Sequence, residues 1–231
     1  SATLTGEILA VEPTNCSRGN GCDIRWTSRE STGTVSTGVL ADARTYSRPA
    51  VAVDMENQRF VLFYAARQSG TIIVRSRDLE GGPNSAWSAE NDSGVTGMRY
   101  LGGAVFDDLA NQPELGLLVA AKDEARGHYI YQYEIAYLGA GDYALTREEP
   151  LSASNRWTRR PFGIARDAAS GRIVVAWRDT GSPRPITYAQ KWSLDVGVGF
   201  IDTTFSSESA NNGTDVTYDD LSEQFLIHVS R

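Results

Sequence analysis

A pattern that begins with an apolar strand occurs four times in this sequence. Arginines next to or near aromatic residues lie just before three of these strands, and an aspartate lies just before the fourth. A guanidinium group forks onto a carboxylate or phosphate, and an aromatic ring offers a flat stacking surface. The candidate ligand-binding residues are Arg44, Tyr46 and Arg48; Arg99 and Tyr100; Arg156, Trp157, Arg159 and Arg160; and Asp215. Arranged around an axis, they would bind a glycan or an anionic partner. Alternatively, each arginine stacks on an aromatic ring and holds neighbouring sheets together.

An aspartate follows each of these strands. The four residues are Asp54, Asp107, Asp167 and Asp219. Their position directly before a turn predicts that each carboxylate accepts backbone N–H bonds in an Asx-type turn. Calcium at Asp107-Asp108 or Asp219-Asp220 is the alternative, although neither pair lies in a loop with spaced oxygen ligands. We expect no other metal and no cofactor.

Two cysteines, Cys16 and Cys22, bracket a short glycine-containing turn, and we expect them to form a disulfide. A bond that closes so small a loop suits a secreted protein and predicts an extracellular or periplasmic location. Zinc is not expected, because two cysteines need two further ligands and His128 and His228 lie within predicted strands.

The charge and hydropathy of the chain exclude two classes of partner. A formal net charge of −7 does not suit nucleic acid or an anionic membrane surface. No apolar run approaches the ~18 residues of a membrane helix, and residues 1–5 lack the pattern of a signal peptide, as in the mature form of an exported protein. Arginine supplies 20 of the 22 basic residues, which indicates either a biased composition or an anion site lined by guanidinium groups.

The elements that would position these residues recur four times. Each copy is an apolar strand that ends at one of the aspartates, a short polar turn, and a second strand of bulky apolar residues. The four aspartates lie 53, 60 and 52 residues apart. A third strand follows at 71–76, 128–133 and 186–192, and a polar fourth strand completes the copy. A hairpin repeat of this length predicts an all-β chain with the β-propeller fold.

The predicted repeats begin at about residues 48, 102, 160 and 213, within a single domain of residues 1–231. The last copy stops after its second strand, whereas residues 22–30 and 34–39 have the pattern of a third and a fourth strand. We therefore expect residues 1–47 to complete the last blade through a clasp of N- and C-terminal strands, which gives four blades and removes open edges. A fragment of a larger propeller, or a half that dimerises, is the alternative.

Turns after two of the predicted third strands resemble the Asp-box of sialidase-like propellers, in which Ser-x-Asp-x-Gly precedes an aromatic residue. Ser193 to Phe200 matches this pattern, and Ser76 to Gly82 with Trp87 matches it with an insertion. Ser28 to Gly33 is a degenerate third copy. The resemblance implies a propeller and a structural role for these turns. Sialidases have six blades and carry an arginine triad, a tyrosine–glutamate pair and an acidic proton donor, and that set does not map onto this chain residue by residue.

Three functions remain open. We expect first a secreted, non-catalytic propeller that binds a glycan or an anionic small molecule or protein surface at its axial face, because packing alone does not explain the adjacent Arg159 and Arg160. The second is a sialidase-like glycoside hydrolase or lyase, which needs two carboxylates that no motif marks among the 29 acidic residues. The third is a structural or protein-interaction propeller. No catalytic residue is identified.

Overall fold

Strands are the only regular elements in the part of the chain that the computed structural model describes, which is residues 7–17, 19–79, 85–107, 115–124, 127–151, 157–179, 186–206 and 213–229. They are β1 (Ile8–Ser17), β2 (Gly21–Arg29), β3 (Val35–Thr45), β4 (Ala50–Asp54), β5 (Arg59–Ala65), β6 (Ile72–Asp78), β7 (Asn91–Asp92), β8 (Met98–Phe106), β9 (Leu115–Glu124), β10 (Gly127–Gly139), β11 (Asp142–Pro150), β12 (Trp157–Thr158), β13 (Gly163–Arg166), β14 (Ile173–Arg178), β15 (Ile186–Lys191), β16 (Ile201–Ser206), β17 (Thr214–Asp219) and β18 (Gln224–Val229). Over these ranges there is no helix long and apolar enough to cross a membrane.

The strands form five antiparallel sheets that follow one another along the chain. Sheet 1 contains β1 to β3, sheet 2 contains β4 to β7, sheet 3 contains β8 to β12, sheet 4 contains β13 to β16, and sheet 5 contains β17 and β18. Within each sheet, neighbours in sequence pair with each other, and the short β12 returns to pair with β10. The all-β, antiparallel class predicted from the sequence is confirmed.

Successive sheets pack face to face through apolar layers. The layers contain Ile24 and Leu62 between sheets 1 and 2, Phe63 and Leu118 between sheets 2 and 3, Val119 and Val175 between sheets 3 and 4, and Val174 and Val216 between sheets 4 and 5. The second strands of sheets 2 and 4 are covered on both faces, so β5 from Phe60 to Ala65 and β14 from Ile173 to Trp177 are continuous runs of apolar and aromatic residues rather than alternating. This stacking of small sheets is propeller-like.

The predicted clasp between the chain ends is wrong. β2 is the central strand of sheet 1 and pairs with β1 on one side and β3 on the other. β18 pairs with β17 alone among the described strands. Residues 8–17, which were not predicted to form a strand, form β1. β1 pairs with the side of β2 on which the predicted clasp would have placed the C-terminal strand. Sheet 1 packs instead on the outer side of sheet 2.

The Cys16–Cys22 disulfide forms as expected and joins β1 to β2 across their hairpin. Three of the four aspartates also form the predicted turns. Asp54 Oδ1 accepts the Asn57 N–H at 3.0 Å, Asp167 Oδ1 the Ala169 N–H at 2.9 Å, and Asp219 Oδ1 the Leu221 N–H at 3.2 Å. Asp107 accepts a bond from Arg166 of sheet 4 at 2.8 Å, so this carboxylate links two sheets.

The Asp-box-like turn forms at Ser193 to Phe200, between β15 and β16. The Gly197 N–H donates to Asp195 Oδ1 at 2.7 Å, and Phe200 is buried between sheets 3 and 4. The second predicted copy does not form such a turn at its start, because Ser76 to Asp78 lie inside β6. Gly81 and Gly82 lie outside the described residues.

Candidate functional site

The first strands of sheets 2 to 5 (β4, β8, β13 and β17) contact one another in that order, and residues of all four line one space, which we call the channel. Arg48, Arg160 and Gly213, which precede three of these strands, line one cleft. Met55, Ala168 and Asp220, which follow three of them, line the channel itself. We call the end of the molecule where these strands begin the entry end and the opposite end the exit end.

The main cleft at the entry end has a volume of about 710 Å³. The described residues that line it are Arg48, Arg160, Pro161, Gly213, Thr214, Asp215, His228 and Val229. Three of the sequence-predicted binding residues, Arg48, Arg160 and Asp215, therefore meet here. They come from two connectors and one strand, which lie far apart in sequence.

The two connectors that carry these arginines contain the same kind of threonine turn, although it holds the residue before Arg48 in one connector and Arg160 itself in the other. Thr45 Oγ1 accepts the Ser47 N–H at 3.0 Å and donates to the Ser47 carbonyl at 3.1 Å. Thr158 Oγ1 makes the same pair of bonds to Arg160, at 3.1 and 3.0 Å. A proline then follows each arginine and restricts its backbone to an extended conformation. The turn and the proline thus constrain the backbone of the two connectors from which the guanidinium groups extend.

Charge in the cleft is only partly compensated. Arg48 Nη1 donates to Asp215 Oδ2 at 2.8 Å, and the two side chains remain 63% and 39% exposed. Arg160 is exposed, and its guanidinium group has no ion pair among the described residues. Gly163 lies beneath Asp215, where a Cβ atom would come within 2.3 Å of Oδ1. The glycine thus allows β17 to approach β13 closely enough to bring Asp215 into the cleft.

His228 also lines this cleft, although the sequence indicated only an ordinary strand residue. It lies on β18, and its Nε2 is 3.1 Å from the Thr217 hydroxyl on the paired strand β17. Asp215 and His228 are directly opposite each other in the β17–β18 register, so they share a face of sheet 5. Without the pairing of these strands the sequence gives no signal for this residue.

A second, smaller cleft of about 200 Å³ lies at the entry end between sheets 2 and 3, and it contains Tyr46, Arg67 and Arg99. Arg67 Nε donates to the Tyr46 hydroxyl at 2.9 Å, and its guanidinium carbon lies 5.7 Å from the centre of the Tyr46 ring. Arg67 was not predicted. Arg67 lies in the turn between β5 and β6, which faces the same end of the molecule as the connectors. The order of the strands in the predicted repeat could therefore have indicated this residue.

The other described residues of the predicted set do not line the main cleft. Arg44 is inside β3, and its Nη1 is 2.6 Å from Asp23 Oδ1 on β2. The Tyr100 hydroxyl donates to the Arg159 carbonyl at 3.2 Å, and its ring meets His128 edge-on at 5.4 Å. Arg156 and the side chain of Trp157 lie outside the described residues. The described residues that were predicted to lie around one axis are therefore divided into separate clusters.

No known family model matches the sequence, and no curated protein matches it. Among solved structures, a protein from a complex described as BT0996 with RGII is similar in structure, with 11% sequence identity and a TM-score of 0.48. The likeness covers 96% of this chain and 87% of the other protein. At this TM-score it supports no functional assignment.

Proposed function

We propose that this chain is a secreted, non-catalytic, propeller-like protein that binds a carboxylate-bearing glycan in the entry-end cleft. The proposal depends on one observation: Arg48 and Arg160 both line a cleft of about 710 Å³, each in a connector that contains a threonine turn and a proline. The volume lies within the range typical of small-ligand sites. Two guanidinium forks in one cleft are suited to a planar anion.

The other polar groups of the cleft favour an acidic sugar over a compact inorganic anion. Asp215 can accept hydrogen bonds from the hydroxyl groups of a sugar, whereas sulfate has no hydrogen atom to donate to it. The His228 ring nitrogens and the Arg160 guanidinium can contact further hydroxyls. A ligand with both a carboxylate and several hydroxyl groups therefore satisfies the whole lining.

Hydrolysis of a glycosidic bond requires two carboxyl groups on opposite sides of that bond. Asp215 is the one carboxylate among the described residues that line the cleft. This composition favours binding without turnover over the glycoside hydrolase or lyase alternative.

A structural role is the second candidate function, and the Arg48–Asp215 ion pair favours it. The pair connects the segment before β4 to β17, and such a contact could hold the first and last of the four channel strands in place. Under this alternative the cleft has no ligand.

The disulfide supports the proposed compartment. A Cys16–Cys22 bond persists in an oxidising environment, which supports secretion to the periplasm or the cell exterior. A secreted protein would meet glycans there.

Calorimetric titration with glucuronate-containing oligosaccharides, and with their neutral glucose counterparts, tests the proposal. We expect the acidic series to bind and Arg160→Ala to weaken that binding by about 1.5–3 kcal/mol, the range for losing a hydrogen bond to a charged group. The thermal midpoint should hardly change, because the Arg160 guanidinium has no ion pair among the described residues.

Arg29→Ala is the matched control, since Arg29 is an exposed arginine at the end of β2 that does not line the cleft. Equal binding of acidic and neutral sugars, or equal loss in both variants, contradicts the proposal. Release of shortened products during the titration would favour a hydrolase. A large fall in the melting temperature of Arg160→Ala, with no ligand for the parent protein, would favour the structural role.

A further inference from the structure

The two clefts at the entry end share one segment of the chain. Tyr46 lines the smaller cleft of about 200 Å³, and Arg48 lines the main cleft of about 710 Å³. Because one residue separates them in sequence, their Cα atoms lie at most about 7 Å apart. That residue is the buried Ser47, which also lines the smaller cleft. The two clefts are therefore neighbours on one face of the molecule.

The turn between β5 and β6 joins the two walls of the smaller cleft. The Arg67 N–H donates to the Arg44 carbonyl at 2.8 Å, and the Gly70 carbonyl accepts the Met98 N–H at 2.9 Å. Gly70 has a φ of 63°, and a Cβ atom there would lie 3.0 Å from backbone atoms of Met98. A glycine therefore allows this turn to approach the start of β8 closely. These contacts hold the connector before β4 and the start of β8 at a set distance.

Each cleft contains two arginines and one aspartate among its described lining residues. They are Arg48, Arg160 and Asp215 in the main cleft, and Arg67, Arg99 and Asp123 in the smaller cleft. This local excess of positive charge contrasts with the formal net charge of −7 of the whole chain. The entry end therefore favours a ligand with more than one negative group.

The two arginines of the smaller cleft retain donors for a ligand. Arg67 Nε donates to the Tyr46 hydroxyl at 2.9 Å, and within the described part of the chain its terminal nitrogens reach only Asn20 Oδ1, at 3.5 Å. Arg99 is exposed, its guanidinium carbon lies 6.0 Å from the centre of the Tyr100 ring, and it has no ion pair among the described residues. Both guanidinium groups can therefore donate hydrogen bonds to an acid group.

The carboxylate of the smaller cleft already has a neighbour within the protein. Asp123 lies opposite His128 in the β9–β10 register, and its Oδ1 contacts Nδ1 of that ring. The volume of this cleft is below the range typical of sites that hold a whole small ligand. It suits one acid group of a ligand whose other parts are bound in the main cleft.

We infer that the two clefts together bind one acidic glycan that carries an acid group on more than one of its sugar units, as a polyuronide does. One carboxylate would lie against Arg48 and Arg160, and a second, on another sugar unit, against Arg67 and Arg99. Binding of the second group is intramolecular once the first is bound, so it strengthens the whole interaction. This inference rests on the proposed function, because it extends the ligand of the main cleft into the smaller one.

The test compares two tetrasaccharides of equal length and β-1,4 linkage by calorimetric titration into the full chain. One is tetraglucuronate, and the other is a glucose tetramer in which a single terminal sugar is replaced by glucuronate. We expect both to bind 1:1 and tetraglucuronate to bind at least tenfold more tightly. That factor exceeds the statistical gain from four carboxylates that compete for one site.

Arg99→Ala separates the two clefts, because Arg99 lines the smaller cleft and not the main one. We expect this variant to bind tetraglucuronate at least fivefold more weakly and to change the affinity for the single-acid ligand less than twofold. Arg160→Ala should weaken the binding of both ligands, and the control Arg29→Ala should weaken neither. Thermal melting of each variant checks that it is folded.

The inference is overturned if tetraglucuronate gains no more than the statistical factor over the single-acid ligand, or if Arg99→Ala binds tetraglucuronate like Arg29→Ala. An equal loss for both ligands in Arg99→Ala also overturns it. In each of these cases, binding of the single-acid ligand that Arg160→Ala weakens still supports the proposed function. If neither ligand binds the parent protein, the inference and the proposed function both fail.

Discussion

Arg48 and Asp215 lie 167 residues apart and form an ion pair of 2.8 Å across the entry end of the channel. The pair connects the segment that precedes β4, in sheet 2, with the start of β17, in sheet 5. Sheets that follow each other in sequence are joined by apolar layers, whereas this contact between the first and last channel strands is polar and exposed. It thus places a residue of the proposed binding cleft in a contact between two sheets.

Asp215→Asn separates these two roles. Loss of the acidic partner frees the Arg48 guanidinium, so an acidic oligosaccharide should bind severalfold more tightly, while asparagine still accepts a hydrogen bond from a sugar hydroxyl. An exposed ion pair contributes less than about 1 kcal/mol, so urea denaturation should show little loss of stability. A loss above about 3 kcal/mol together with unchanged ligand affinity would mean that the pair serves the fold alone.

Arg77→Ala should destabilise the protein strongly. Arg77 is 0% exposed, forms an ion pair with Glu7, and has its guanidinium carbon 5.1 to 5.6 Å from the ring centres of Trp26, Phe60 and Trp87. Removal of one partner of a buried ion pair leaves the other charge uncompensated and costs about 3–5 kcal/mol. Chemical denaturation measures this loss.

The control for that variant is Arg25→Ala, which removes an exposed ion pair with Glu12 between the paired strands β1 and β2. We expect Arg25→Ala to lower the free energy of unfolding by less than about 1 kcal/mol. Similar losses of unfolding free energy in the two variants would contradict the conclusion that the buried Arg77 ion pair stabilises the contact between sheets 1 and 2.

The environment of Arg77 also shows what the sequence could not indicate. Ser76, Arg77 and Asp78 resemble the start of an Asp-box turn, yet they continue β6, and sheet 1 covers Arg77. This burial depends on Glu7 and Trp26, which are 70 and 51 residues away. Local patterns predicted the strands and the Asx turns because those depend on neighbours in sequence, whereas this contact depends on how sheets pack.

The wrong prediction of a clasp between the N- and C-terminal strands has a related cause. Residues 8–17 contain Pro13 and few alternating apolar side chains, which is typical of an edge strand rather than of a repeated core strand. Their pairing with β2 could be recognised only from the hairpin that the Cys16–Cys22 bond closes. For the site, the connectors predicted Arg48, Arg160 and Asp215, but His228 and Arg67 needed the strand order.

Tyr143→Phe should loosen the contact between sheets 2 and 3. The Tyr143 hydroxyl, on β11, donates to Asp54 Oδ2 at 2.8 Å in the turn after β4, and both residues are buried. Loss of a hydrogen bond to a charged group costs about 1.5–3 kcal/mol. Tyr129→Phe is the control, because the half-buried Tyr129 makes no hydroxyl hydrogen bond among the described residues. Equal unfolding free energies for the two variants would contradict this role.

The buried Lys191 leads us to predict that the free energy of unfolding depends on pH. It is 2% exposed, and its Nζ donates to Gln132 Oε1 at 2.6 Å and to the Asp195 carbonyl at 3.1 Å, joining the Asp-box-like turn of sheet 4 to sheet 3. Burial lowers the pKa of Lys191 from 10.5 to about 8, and the Asp195 carboxylate offsets part of this effect. The folded protein therefore releases this proton at a lower pH than the unfolded chain does.

Between pH 8 and 10.5 the unfolded chain binds more protons at this site than the folded protein, so the free energy of unfolding contributed by Lys191 rises with pH across that window. The rise amounts to at most about 3 kcal/mol. Urea denaturation at pH 7, 8, 9 and 10 should show this rise in the parent relative to Lys191→Met, a comparison in which all other titrating groups cancel. Lys122→Met controls for the loss of one positive charge, because Lys122 is the other lysine and lies on an outer face beside Glu148. If the difference between parent and Lys191→Met stays flat with pH, or falls, Lys191 is not held in a desolvated site between sheets 3 and 4.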